Sequence, residues 1–175
     1  MIFCAGDIES FEFATPIGIG LIDSAINLSR VCIMNPPEFI LFVGSAGSYG
    51  KHKIFDIVRS KSASNIENSF FNANSYTPLN NIVSTSLDIS KDVIINSSNY
   101  ITRDLSLNQK YLDLNILLEN MEFYSVIKVA KEFNIPVGGV FIVTNYCDTN
   151  AHQDFIKNHK EAMDRLFKYI KKEVL

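Results

Sequence analysis

Three short segments of this chain carry side chains that could do chemistry. Gly44-Ser45-Ala46-Gly47 follows directly on an apolar run, Phe39 to Val43. Small residues there let backbone N–H groups and the Ser45 hydroxyl approach an anion or a bound water; any tight turn uses the same residues. Asn120-Met121-Glu122 lies in a stretch with helical periodicity. A carboxylate there either lines a site or faces solvent, as most helical glutamates do. Thr144-Asn145 follows a second apolar run, Val137 to Val143. A polar pair at a strand end can read the edge of a base, or it can cap the turn that follows.

Positioning these segments requires buried strands and packed helices. Phe39 to Val43 and Val137 to Val143 read as strands covered on both faces. Shorter strand candidates are Ile2 to Ala5, ended by Gly6-Asp7, then Phe11 to Thr15, Asp56 to Arg59, and Val93 to Ile95. Helical spacing appears from Leu21 to Cys32, stopped by Asn35-Pro36-Pro37, again from Asn115 to Phe133, and from His159 to Leu175. The Ser- and Asn-rich stretch from Ser60 to Asn81 reads as a long irregular loop. Strands alternating with helices predict an α/β fold, a mixed central sheet flanked by helices on both faces. Ligands in such folds gather at the C-terminal ends of the strands, which points to the residues after Val43 and Val143.

The 175 residues suit one domain, residues 1–175, with 47% hydrophobic and 20% charged side chains. A net charge of −3 gives no basic excess to favour nucleic acid or an anionic membrane. No apolar run approaches the roughly 18 residues of a membrane span. Cys4, Cys32 and Cys147 are odd in number and widely spaced, so neither a disulfide framework nor a metal site is expected. The expected setting is cytoplasmic and reducing.

Taken in order, the segments resemble the nucleoside phosphorylase and nucleosidase superfamily, which includes purine nucleoside phosphorylases and methylthioadenosine/S-adenosylhomocysteine nucleosidases. Val43 to Gly47 is similar to its phosphate or water segment, and Asp56-Ile57-Val58 to the segment that follows. Asn120-Met121-Glu122 is similar to a "glu-met-glu" motif, Val143-Thr144-Asn145 to an "ile-ser-asp" strand end, Gly6-Asp7 to a "gly-asp-pro" loop, and Gly18-Ile19-Gly20 to a "gly-ile-gly" turn. The resemblance implies that Met121 and Glu122 hold a ribose, Glu122 through its hydroxyls. It implies that Tyr100 stacks on the base, that Thr144 and Asn145 meet the purine, and that Gly6 and Ser45 hold phosphate or water. Asn145 and Glu122 are then the catalytic candidates. It further implies a homodimer or higher homo-oligomer, with no cofactor beyond phosphate as co-substrate.

The chain also departs from that pattern. It is short for the family, and Ser10 and Phe42 stand where the hexameric phosphorylases place phosphate-binding arginines. The nucleosidases lack those arginines and activate water with a carboxylate near the first loop, where this chain has Glu9 and Glu12. Asn145 replaces a catalytic aspartate, and an amide cannot serve as a general acid. The resemblance thus implies three readings. The leading one is phosphorolysis of a purine nucleoside, 6-oxopurines favoured, with phosphate as second substrate. The others are hydrolysis of the same bond, and a nucleoside-binding or interaction protein without catalysis.

Overall fold

The computed structural model describes residues 1–73 and 75–175. Its strands are β1 (Ile2–Cys4), β2 (Thr15–Pro16), β3 (Ile40–Ser48), β4 (Ile57–Ser60), β5 (Ser62–Ser64), β6 (Ile82–Ser84), β7 (Ile94–Ser97), β8 (Ile116–Asn120) and β9 (Val137–Tyr146). Four helices accompany them: α1 (Gly20–Met34), α2 (Asn108–Asp113), α3 (Phe123–Glu132) and α4 (Ala151–Glu173). The strands form one mixed sheet, as expected. Strands β2, β1, β3 and β9 run parallel, with β4 antiparallel on β9. Strands β5, β7 and β8 are parallel to one another. The two groups meet where the end of β3 pairs antiparallel with β8, Gly47 opposite Glu119 and Ser48 opposite Leu118. The C-terminal ends of both groups therefore converge on one place.

The two long apolar runs are covered on both faces. Phe42 and Phe141 pack with Phe123, Val126 and Ile127 of α3 and Leu28 of α1. Val43, Val140 and Ile142 pack instead against Ala162, Leu166 and Ile170 of α4. Neighbouring strand residues point to opposite faces, so continuous apolarity is what a sandwiched strand requires. Each such fully buried side chain contributes about 1.5–3 kcal/mol. The three cysteines are buried thiols, and no helix is long and apolar enough to cross a membrane, among the described residues.

Four local expectations change. Gly44 to Gly47 is not a loop: β3 continues through it, paired with β9 almost residue for residue. Asn115 to Phe133 is not one helix. Asn115 takes a left-handed φ of 60°, Ile116–Asn120 is a strand, and the helix begins at Phe123. A run such as Ile116-Leu117-Leu118 has no period of its own, so a buried strand and a helix segment read alike. Phe11 to Thr15 is mostly loop; Phe11 stacks on Phe13 at 5.2 Å and Phe13 on Phe167 of α4 at 5.5 Å, which ties the loop down. Within Ser60 to Asn81, β5 is a buried strand between β6 and β7, and residue 74 lies outside the described residues.

Candidate active site

A cavity of about 280 Å³ opens where the strand ends converge. Gly6 to Glu9 from the loop after β1 form one wall, and Ser45 to Gly47 of β3 the floor. Glu119 to Glu122 and Asn145 face it from β8, the start of α3, and β9. Tyr100 and Ile101 stand at the mouth with His152 and Phe155 of α4. Gly6, Ser45, Tyr100, Met121, Glu122 and Asn145, scattered over 140 positions of sequence, thus line one space. Thr144 does not. It is fully buried, and its hydroxyl lies 2.8 Å from Asn145 Oδ1. Adjacent strand residues face opposite ways, so Thr144 can hold the amide but cannot touch a ligand directly.

The floor is arranged around Glu9. Its Oε1 accepts from the Ser45 hydroxyl, and its Oε2 from the Ser45 backbone N–H at 3.1 Å. Gly44 is what admits it: a Cβ there would stand 2.9 Å from Glu9 Oε2. Glu12 is elsewhere, exposed and 3.1 Å from Lys171 of α4. The choice between Glu9 and Glu12 could not be read from their spacing, because it depends on the turn at Gly6 and Asp7, where φ is 103° and 54°.

Glu122 is 6% exposed and bridges the starts of two helices. Oε1 accepts from Gly20 N–H at 2.9 Å, the first residue of α1. Oε2 accepts from Met121 N–H at 3.2 Å and Asn120 Nδ2 at 3.3 Å. Asn120 is itself held by the Ser97 hydroxyl at 2.7 Å. Asn99 Oδ1 takes the next α1 donor, Leu21 N–H, at 2.9 Å. The opening N–H groups of α1 are therefore satisfied by distant side chains rather than by a local cap. Helix starts and N–H donors favour the charged carboxylate, yet burial dominates and, with a further upward push from nearby Glu9, raises the Glu122 pKa to about 7.

Asn145 is 6% exposed; its Nδ2 donates to Tyr146 O at 3.1 Å. One N–H and some lone-pair capacity remain for a ligand. Gly47 makes the room: a Cβ there would lie 3.0 Å from Asn145 Nδ2, 3.1 Å from Cys147 Sγ and 3.4 Å from Glu119 Cγ. The cavity wall carries Asp7, Glu9, Glu119 and Glu122 but no lysine or arginine, among the described residues. Ser10 is exposed, bonded to Asp7 O at 2.8 Å, and Phe42 is in the core, so neither of those positions supplies a cation. Sequence reading did not find Glu119, His152 or Phe155, which only the strand crossing and the α4 start bring to the cavity.

The sequence model of the Phosphorylase superfamily matches residues 92–174, which hold Tyr100, Glu119, Glu122 and Asn145. Over that span, just under half of its length, the chain is similar to the phosphorylase superfamily. Solved structures share its fold at low identity. A Helicobacter pylori futalosine hydrolase mutant aligns with a TM-score of 0.80 at 16% identity, over 97% of this chain and 95% of that one. A putative 5'-methylthioadenosine/S-adenosylhomocysteine nucleosidase from Francisella philomiragia gives 0.79 at 16%, over 98% and 96%. A mutant nucleosidase of the same type from Helicobacter pylori, with 5'-methylthioadenosine in its active site, gives 0.77 at 18%, over 91% and 78%. No curated protein matches the sequence. The fold shared with these structures therefore runs nearly the length of this chain, and these neighbours are nucleosidases rather than phosphorylases.

Proposed function

We propose that this chain hydrolyses the N-glycosidic bond of a purine nucleoside, releasing the base and ribose. The observation that carries this reading is the lining of the cavity: four carboxyl side chains face it and no lysine or arginine, among the described residues. Phosphate as co-substrate would enter beside carboxyl groups, two of which burial already drives towards their neutral form, with no lysine or arginine to pair its charge among the described residues. Water carries no such penalty. The kinship of fold with nucleosidases supports the same choice over phosphorolysis.

The proposed chemistry follows from the positions of the groups. A carboxylate offers about four lone-pair sites, and Ser45 takes two of those on Glu9. The remainder can orient a water and receive its proton as the ribosyl centre becomes cationic. Glu122 accepts from the ribose diol, and its charge and that of Glu9 stabilise the developing cation. Asn145 donates to the departing purine anion and so stabilises it by hydrogen bonding; the purine then takes its proton from solvent, and Glu9 returns the proton of the attacking water to solvent. Holding water, sugar and base in one geometry supplies the rest.

The test is base and sugar release from inosine, guanosine, adenosine and 5'-methylthioadenosine, with and without phosphate. Free ribose, or the free thiosugar, at a rate indifferent to phosphate is the expected result. Release that requires phosphate and yields ribose 1-phosphate would restore the phosphorolytic reading. Nucleoside binding with no release under either condition would favour a protein without catalysis.

A further inference from the structure

The loop that carries Glu9 has little packing to hold it. Asp7 and Ile8 are exposed, and Gly6 and Asp7 take left-handed φ values of 103° and 54°. An exposed loop moves unless it is tied to something rigid. The carbonyls of Gly6, Asp7 and Ile8 show where the ties are. Gly6 O accepts from Glu9 N–H at 3.0 Å and Asp7 O from the Ser10 hydroxyl at 2.8 Å, both within the loop. Ile8 O is bound from outside, by His159 Nε2 of α4 at 2.9 Å. A carbonyl can only accept, so Nε2 carries the hydrogen. The other ring nitrogen, Nδ1, is buried with no hydrogen-bond partner among the described residues. The bond to Ile8 is therefore the polar use of this side chain.

The helix gives His159 a fixed place. Asn158, the residue before it, donates through Nδ2 to Thr144 O of β9 at 2.8 Å. The His159 ring packs on Phe155 with centroids 5.0 Å apart, and Phe155 lines the cavity mouth. One turn of α4 therefore fastens both the strand end that carries Asn145 and the loop that carries Glu9. These are the two ends of the proposed reaction: Glu9 holds the water, and Asn145 meets the departing base. We infer that His159 is a positioning residue, whose hydrogen bond to Ile8 seats Glu9 on Ser45 and fixes its distance from Asn145. His159 does not line the cavity, so it acts through Glu9. Its contribution is geometric, since misplacing a reacting group by about 1 Å can cost about a hundred-fold in rate.

This inference rests on the hydrolase reading for the purpose of that geometry, and a crossed pair of variants tests it. His159→Phe keeps a ring on Phe155 and removes the donor. His159→Gln removes the ring and returns an amide N–H, because its Nε2 stands as many bonds from Cα as the imidazole Nε2. Amide hydrogen exchange at Ser45 reads the seating of Glu9 without substrate, since that N–H is bound to Glu9. In His159→Phe, exchange at Ser45 should quicken by about ten-fold or more, while the amides of Val140 and Ile142 and the thermal midpoint stay near native. With nucleoside, kcat should fall by about ten- to a hundred-fold and KM stay within about three-fold. His159→Gln should restore Ser45 protection and most of the native kcat. Native exchange at Ser45 in His159→Phe would overturn the inference. So would equal losses in the two variants, or a greater loss in His159→Gln, which would assign the effect to ring packing. If His159→Phe does not fold, His159→Asn replaces it, its amide standing at the reach of Nδ1 and short of Ile8. The expected exchange pattern in a protein that cleaves no nucleoside would sink the hydrolase proposal and leave the hold of His159 on the Glu9 loop standing. Phosphate-independent cleavage that neither variant alters would do the reverse.

Discussion

Glu9 grips Ser45 at two points, its two carboxylate oxygens accepting from the serine hydroxyl and from the serine backbone N–H. This single relationship joins the loop after β1 to the middle of β3, and the missing Cβ of Gly44 permits it. If Glu9 orients the attacking water, Glu9→Gln should lower kcat by about 10²–10⁴, the range for loss of a general base. Glu12→Gln, altering an exposed partner of Lys171, should leave kcat near native. Steady-state kinetics of both variants check this; equal effects would remove Glu9 from the chemistry.

Glu122 should make stability depend on pH. Its folded pKa of about 7 lies above the ordinary glutamate value, so the folded state binds the proton more tightly than the unfolded chain. The contribution is fully present below about pH 4.5 and is lost as pH rises through about 7, a change of about 3 kcal/mol. Glu122→Gln never ionises, so its thermal midpoint should gain on the native protein from pH 5 to pH 8. A gap independent of pH would contradict the burial argument.

The same residue should govern nucleoside binding. Glu122→Ala removes a charge-assisted bond to the ribose diol and should cost about 1.5–3 kcal/mol of affinity. Affinity of the native protein should also improve as pH rises through about 7, because the ionised form is the better acceptor. Unchanged nucleoside affinity in Glu122→Ala would refute the role.

Asn145→Asp should move base preference towards adenosine. The amide can donate to a 6-oxo group, whereas a carboxylate accepts from a 6-amino group or, protonated, donates to N7. A buried group left unpaired by the wrong edge costs about 1–3 kcal/mol, enough to shift relative kcat/KM by an order of magnitude or more. The ratio of kcat/KM for inosine and adenosine in both forms is the measurement. A ratio that does not move would leave Asn145 as a strand-end residue.

Gly47→Ala should harm both fold and site. Its new methyl would press on Asn145 Nδ2 at 3.0 Å and Cys147 Sγ at 3.1 Å. Overpacking of that kind costs about 1–3 kcal/mol. Chemical denaturation should show that loss together with weakened base binding. Native stability and native affinity would mean the space at Gly47 is not needed.

Much of this protein was legible along the chain because it rests on local pattern. Phe39 to Val43 and Val137 to Val143 announced strands covered on both faces, since burial on two sides demands unbroken apolarity. The spacing of Leu21 to Cys32 announced α1, and the ordered motifs from Gly6 to Asn145 announced the resemblance to the phosphorylase superfamily. Ile116 to Asn120 was misread as helix because a short apolar run has no period to distinguish the two.

What the chain could not disclose was every relation that depends on the third dimension. Glu9 and Glu12 are equivalent in composition and nearly so in position. Only the left-handed turn at Gly6 and Asp7 sends one to Ser45 and the other to Lys171. Thr144 and Asn145 are neighbours, yet strand alternation gives the cavity to one alone. Glu119 looked like any glutamate until the antiparallel meeting of β3 and β8 set it opposite Gly47. Side-chain type is written residue by residue, but burial, electric field and shared direction arise only when distant segments are packed together. The lining of the cavity, on which the choice of water over phosphate rests, is drawn from such segments.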